Sequence, residues 1–237
     1  MINKNVVFIL LIGIVIGRSD PPFNIGEKLE FSVDFNSIPV GKAKLIVNEN
    51  TLINNNDNYH ITFIAKTEGI ADRIYKIRDN IQLWIDKNDF YTHKLKKDIR
   101  EGSFNQALEI IFDYNRSLAI INNDKEYIIS YKSWDPFSMF YYLRTIPLLR
   151  DEILSFSSFN GKKRIDYSLK VSGKEKVKSP IGSFDCYIIK PFRKGKTLLK
   201  NQGDMQIWIS DTKKRLPVKI QIKMKYGSMT LDLKKIN

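Results

Sequence analysis

One cysteine, Cys186, and two histidines, His60 and His93, are all the chain has of the residues that most often carry metal or nucleophilic chemistry. A lone cysteine forbids an intramolecular disulfide. Cys186 alternates with Phe184 and Ile188 on the inner face of an expected strand, so an inert buried thiol is expected rather than a nucleophile. No second His or Cys stands at metal-ligand spacing, which argues against a zinc site. His60 shares the polar side of its strand with Thr62 and Lys66 and is expected in solvent. Lys94, Lys96 and Lys97 surround His93 and oppose its protonation and cation binding alike. Neither a Gly-x-Ser-x-Gly elbow nor a Gly-rich phosphate loop occurs, and no cofactor is expected.

Acidic residues are also short: 26 Asp and Glu stand against 39 Lys and Arg, a formal net charge of +13. Such a balance favours anionic partners. Lysine, isoleucine and asparagine are plentiful throughout, however, and the lysines spread over alternate strand positions. Composition therefore accounts for the excess, and nucleic acid is not an expected partner.

Long apolar runs are scarce. Residues 6–16 form the one clear case, preceded by Lys4, and read as the core of a secretory signal peptide. The run falls short of the about 20 apolar residues a bilayer span needs, which leaves an uncleaved anchor as the alternative. Gly17 and Ser19 suit cleavage, and no cysteine there invites lipid attachment. The expectation is a signal segment over 1–19 and one exported β-rich domain over 20–237, with no transmembrane segment after cleavage. Its compartment would be the periplasm or the exterior.

What the chain does have is alternation. Leu29, Phe31, Val33 and Phe35 interleave with Glu30, Ser32 and Asp34, the pattern of a half-buried strand. Similar strands are expected over 42–49, 59–67, 79–86, 90–99, 106–114, 117–121, 126–131, 153–159, 164–172, 184–190 and 205–209. Residues 54–58 read as a loop tip, 69–75 as a helical turn, 178–183 as a turn and 193–203 as a basic loop. Val218, Ile220, Ile222 and Met224 alternate with polar residues, and Gly227-Ser228 suits a type II′ turn into 229–233. The pattern predicts antiparallel pairing with one face on a core.

One segment departs from it. Asp135 is a good N-cap, Pro136 fits the first helical position, and Pro147 ends the run, predicting a helix over 136–146. Phe137, Met139, Phe140, Tyr141, Leu143 and Ile146 make it apolar almost all round, with Ser138, Tyr142 and Thr145 as a narrow polar edge. Such a helix belongs inside. The predicted architecture is therefore mainly β: a large curved antiparallel sheet or open β-barrel wrapping one central α-helix.

Arg144 lies on that helix and needs a partner if buried. Asp79 or Glu101 are offered as neutralising carboxylates. The candidate polar cluster, for ligand or structure, is Asp79, Glu101, Asp135, Tyr141, Tyr142, Arg144, Trp208 and Asp211, with no residue assigned as catalytic and none as a metal ligand. Trp84, Trp134 and Trp208 either line an apolar groove or fill the core.

Several segments resemble one family in their order along the chain. They are Phe23-Asn24-Ile25-Gly26-Glu27-Lys28-Leu29-Glu30-Phe31, Ile38-Pro39-Val40-Gly41-Lys42-Ala43, Tyr75-Lys76-Ile77-Arg78-Asp79, Glu101-Gly102 and Tyr141-Tyr142-Leu143-Arg144. Later come Ser179-Pro180-Ile181-Gly182-Ser183-Phe184-Asp185-Cys186, Ile207-Trp208-Ile209-Ser210-Asp211 and Arg215-Leu216-Pro217-Val218. The chain is similar to domain of unknown function 3108, departing slightly at Pro136-Phe137. The resemblance implies an exported, mostly antiparallel β fold and no established activity.

Three readings follow. The first is an envelope protein without catalysis that holds an apolar or amphipathic, lipid-like ligand in the concave sheet. The second is a scaffold for an envelope protein partner through a sheet edge. The third is a glycan hydrolase using paired acids such as Asp79 and Glu101, which requires the two carboxyls within about 10 Å across an open cleft.

Overall fold

A computed structural model describes residues 20–193, 195 and 204–237. The expected signal segment and most of the expected 193–203 loop lie outside the described residues. Strands β1 (Lys28–Phe35), β2 (Ile38–Val47), β3 (Thr51–Ile53) and β4 (Asn56–Thr67) come first. A short helix α1 (Gly69–Ile74) precedes β5 (Arg78–Asp86), β6 (Thr92–Glu101), β7 (Phe104–Asp113), β8 (Leu118–Ile121) and β9 (Lys125–Ile128). Helix α2 (Pro136–Thr145) then leads to β10 (Ile153–Phe159), β11 (Arg164–Ser179), β12 (Gly182–Phe192), β13 (Asp204–Ser210), β14 (Pro217–Met224) and β15 (Gly227–Ile236).

All the strands join one antiparallel sheet, ordered β10-β11-β12-β13-β14-β15-β1-β2-β4-β5-β6-β7-β8-β9, with β3 on β4. Two meanders are therefore sewn together where β15 pairs with β1. The inward residues of both form one continuous core, including Leu29, Leu45, Leu83, Ile110, Leu169 and Leu233. Closure is helped by the chain leaving β9. Ser133 accepts from Thr92 N at 2.8 Å and Trp134 N donates to Ser157 O at 2.8 Å, lacing β6 to the outer strand β10. The predicted curved sheet around a helix is what forms.

α2 has ten residues, too few to hold a helix alone in water. Its N-terminus is fixed by Asp135, whose Oδ1 accepts from Phe137 N at 3.0 Å, and Pro136 occupies the first turn. Met139, Phe140, Tyr141 and Leu143 are buried, and even Ser138 of the expected polar edge is 1 % exposed. Burial of such side chains at about 1.5–3 kcal/mol each holds the helix in place.

Three local expectations are corrected. Residues 56–58 belong to β4, because Asn54 and Asn55 take left-handed geometry (φ 49° and 61°) and close a tight β3–β4 hairpin. β11 continues past 172 to Ser179, since the register shift between Val171 and Lys174 breaks the alternation without ending the strand. The β14–β15 turn is Lys225–Tyr226, and Gly227 already pairs with Met224. Glycine is needed there because a Cβ would stand 2.5 Å from Asn36 Oδ1 in the neighbouring turn, at φ +149°.

The β1–β2, β6–β7 and β14–β15 turns and α1 sit at the same end of the sheet, called the rim below. The opposite end, where β1 starts and Lys214 precedes β14, is the base.

Candidate functional site

The eight polar candidates do not converge; they fall into separate places. Arg144, 3 % exposed, is paired with Glu27 and with neither Asp79 nor Glu101. Its Nη1 and Nη2 donate to Glu27 Oε1 and Oε2 at 2.6 and 2.8 Å, Nη2 also to Pro22 O at 3.2 Å, and Nε to Lys214 O at 3.3 Å. The guanidinium lies 5.1 Å from the Phe23 ring centroid and 5.4 Å from that of Tyr141. A fork of fixed donors fits this set, and every contact is internal. Arg144 is a clasp at the base of the fold. Burial pushes the Tyr141 phenol well above its ordinary value, so it stays neutral. Tyr142 packs instead on Trp134, with ring centroids 4.9 Å apart.

Trp208 donates its indole N–H to Glu175, and Asp211 accepts from Lys174 Nζ at 2.6 Å. Both arrangements reach across β12, from β13 or the loop after it to β11. Asp79 and Glu101 do stand side by side, near the rim. Burial, then the Glu101 carboxyl, raise Asp79 to about 6, against a backbone bond from Arg100 N that opposes the rise. Neither carboxyl lines the cavity described next. The histidines differ from expectation in their surroundings. His60 is half-buried, stacked on Trp84 at 4.4 Å and bonded to Gln82 at 3.0 Å. His93 is 2 % exposed, and burial lowers its pKa against the opposing pull of Asp86, with Lys132, not Lys94, Lys96 or Lys97, adding to the fall. The Cys186 thiol is buried and pushed up to about 12.

Of the eight, Asp135 alone borders the cavity between α2 and the sheet. The space, about 390 Å³, lies between α2 and the concave face of the sheet. Pro136, Met139, Phe140 and Leu143, spaced to share one helix face, form one side. Phe63 of β4, Leu169 of β11, Ile207 of β13, Ile220 and Ile222 of β14 and Leu231 of β15 form the other. Two cations also line it, Lys97 and Arg193. Lys97 Nζ stands 3.3 Å from Asp135 Oδ2. The Arg193 Nε is buried without a hydrogen-bond partner among the described residues. Alternation in the sequence marks most of these walls as inward-facing, but it carries no sign that they stop short of touching. Arg193 was legible only as part of a basic loop.

An apolar cavity of this size with a few charged groups in its wall is the usual form of a small-molecule site. Family comparison agrees with the order of motifs: residues 30–234 match the model of the family described as Protein of unknown function (DUF3108), and the chain belongs to that family. No curated protein matches the sequence. Among solved structures it is similar to a beta-barrel-like protein of domain of unknown function DUF1849 from Brucella abortus. That likeness has a TM-score of 0.57 and 9 % identity and covers 90 % of this chain and 97 % of the other. It is one of fold. A protein described as exported, with a YmcC-like fold, from Bacteroides fragilis matches at TM-score 0.42 and 10 % identity, over 91 % of this chain and 97 % of its own.

Proposed function

We propose that this protein holds the hydrocarbon part of an amphipathic, lipid-like ligand in the cavity between α2 and the sheet, as an exported protein of the cell envelope. The cavity itself carries the reading: about 390 Å³ walled by Met139, Phe140, Leu143, Leu169, Ile207, Ile220 and Leu231. An apolar void less than half that size, about 150 Å³, already takes up benzene. Arg193 favours a ligand whose polar end is anionic, since a buried guanidinium N–H without a partner gains most from a carboxylate or phosphate oxygen, whereas Lys97 is already paired with Asp135. Export rests on Lys4 and the apolar run over 6–16.

Native mass spectrometry of protein purified from an envelope extract without detergent, followed by organic extraction, tests the reading. Stoichiometric retained lipid is expected. A clean apo mass, together with no saturable binding of a fluorescent fatty acid, overturns it.

Partner binding through a sheet edge has one observation in its favour. Ile128 on the terminal strand β9 is 87 % exposed. A strand-forming partner would be lost on Ile128→Lys, whereas fatty-acid binding would be unchanged.

A further inference from the structure

Four successive hairpin tips at the rim end in exposed apolar side chains. Tyr226 tops β14–β15, Ile38 follows the β1–β2 turn, Ile70 and Ile74 stand on α1 with Tyr75 just after it, and Phe104 follows the β6–β7 turn. Each is at least half exposed, and Ile70, Ile74 and Tyr226 are 76, 79 and 80 % exposed. Isolated apolar residues on a surface need no explanation, but these are linked into one ridge. Ser228 N bonds to Asn36 Oδ1 at 2.8 Å, Glu68 N to Val40 O at 2.9 Å, and Gly102 N to Lys76 O at 2.9 Å, tying each tip to the next.

Most acids beside α1 and the β6–β7 turn are neutralised, while several cations around the ridge are not. Glu68, Asp72 and Asp98 are neutralised by Lys42 and Lys66, Arg78, and Arg100 respectively. Arg73, Lys76, Lys223 and Lys225 form no ion pair among the described residues; Lys225 lies over the Tyr226 ring at 5.0 Å. Against them stand Asp34, Asp204 and the neighbouring Asp79 and Glu101. Apolar tips flanked by unpaired cations are the composition that seats in the interface of an anionic bilayer, the tips entering the headgroup layer and the cations meeting phosphates.

We propose that the rim docks on an anionic lipid bilayer through these four tips. The cavity's position fits. α2 closes it on one side, while Phe63, Lys97, Met205 and Ile222 line it within a few residues of the rim ends of β4, β6, β13 and β14. A docked rim would thus set the cavity next to lipid. The docking proposal stands without a ligand in that cavity, and its test is separate.

The full chain lacking its expected signal is mixed with phosphatidylglycerol vesicles or pure phosphatidylcholine vesicles and sedimented. Binding to the anionic vesicles is expected to be at least tenfold the tighter, to weaken with salt, and to drop tenfold for the double variant Ile70→Ser with Ile74→Ser. Leu52→Ser, which removes an apolar residue 65 % exposed from the β3–β4 hairpin, should change nothing. An environment-sensitive dye on Tyr226→Cys should shift to the blue on vesicles, and the same dye on Leu52→Cys should not. No binding to anionic vesicles, or equal binding by the Ile70/Ile74 variant and the parent, overturns the proposal. So does capture of a protein partner by the rim in the absence of vesicle binding. Vesicle binding with an empty cavity would retain the docking surface and sink only the ligand reading.

Discussion

Arg144 on α2 and Glu27, 117 positions earlier and just ahead of β1, face each other through two parallel hydrogen bonds inside the base of the fold. The pair locks the helix to the segment that enters the sheet, and Lys214 O brings the β13–β14 loop into the same clasp. Removing one partner leaves the other charged and buried. Glu27→Ala is therefore expected to destabilise the fold by about 3–5 kcal/mol in urea titration. Arg144→Lys should lose nearly as much, because one ammonium cannot serve Glu27, Pro22 O and Lys214 O together. A loss below about 1 kcal/mol for Glu27→Ala would mean that water reaches the pair.

Asp79 predicts a dependence on pH. Its folded value, about 6, lies above its ordinary 3.8, so the group favours folding while protonated. Its stabilising contribution is full below pH about 4 and is lost as pH rises through about 6. Asp79→Asn keeps the acceptor for Arg100 N and removes the charge. Discounted for its partial exposure, the gain at pH 7.5 is about 1 kcal/mol, a rise of roughly 2–4 °C in Tm. At pH 4 the variant and parent should melt together. A pH-independent difference would show that the folded protein does not raise Asp79 above its ordinary value.

The cavity gives two opposed expectations for one kind of change. In a filled core, Ile220→Phe would force overpacking at about 1–3 kcal/mol. Into the existing space it should leave thermal stability almost unaltered while weakening a fluorescent fatty acid at least tenfold. Arg193→Gln should weaken that fatty acid several-fold and leave a monoacylglycerol of the same chain length unaffected. Equal loss for both ligands would remove Arg193 from headgroup recognition.

Cys186 should be silent. With its thiol raised to about 12 and no exposed surface, it should react with a disulfide reagent at pH 8 only as fast as the protein unfolds. Prompt labelling of the native protein would place the thiol at the surface.

The helix was the most legible part of the fold because its information is local. Asp135, Pro136 and Pro147 mark its ends within a few positions, and the structure keeps them. Strand faces were legible for the same reason, wherever alternation runs unbroken. Arg144 shows where that ends. Its need for a partner follows from its place on an apolar helix, yet which carboxylate answers depends on the base of β1 meeting α2, and no local pattern encodes that meeting. Asp79 and Glu101 were the wrong partners for Arg144, though they do stand side by side. Gly227 similarly looked like a hairpin turn and proved to be a place where the adjacent β1–β2 turn leaves no room for a Cβ. The cavity was hidden for a further reason: periodicity reports which way a side chain points, and the unfilled volume depends on how far apart two walls are held.

The seam between β1 and β15 has a consequence for biosynthesis. β1 to β9 can pair one after another as the chain emerges, but the second edge of β1 stays bare until β15 arrives. Lys28 and Asn237, which exchange backbone hydrogen bonds at 3.1 and 3.0 Å, are joined only at that moment. Through most of synthesis the nascent chain therefore carries an open strand edge backed by Leu29 and Phe31, the sort of edge that recruits another chain. A holding chaperone would have its substrate there, and slowed translation beyond β9 would lengthen the exposure.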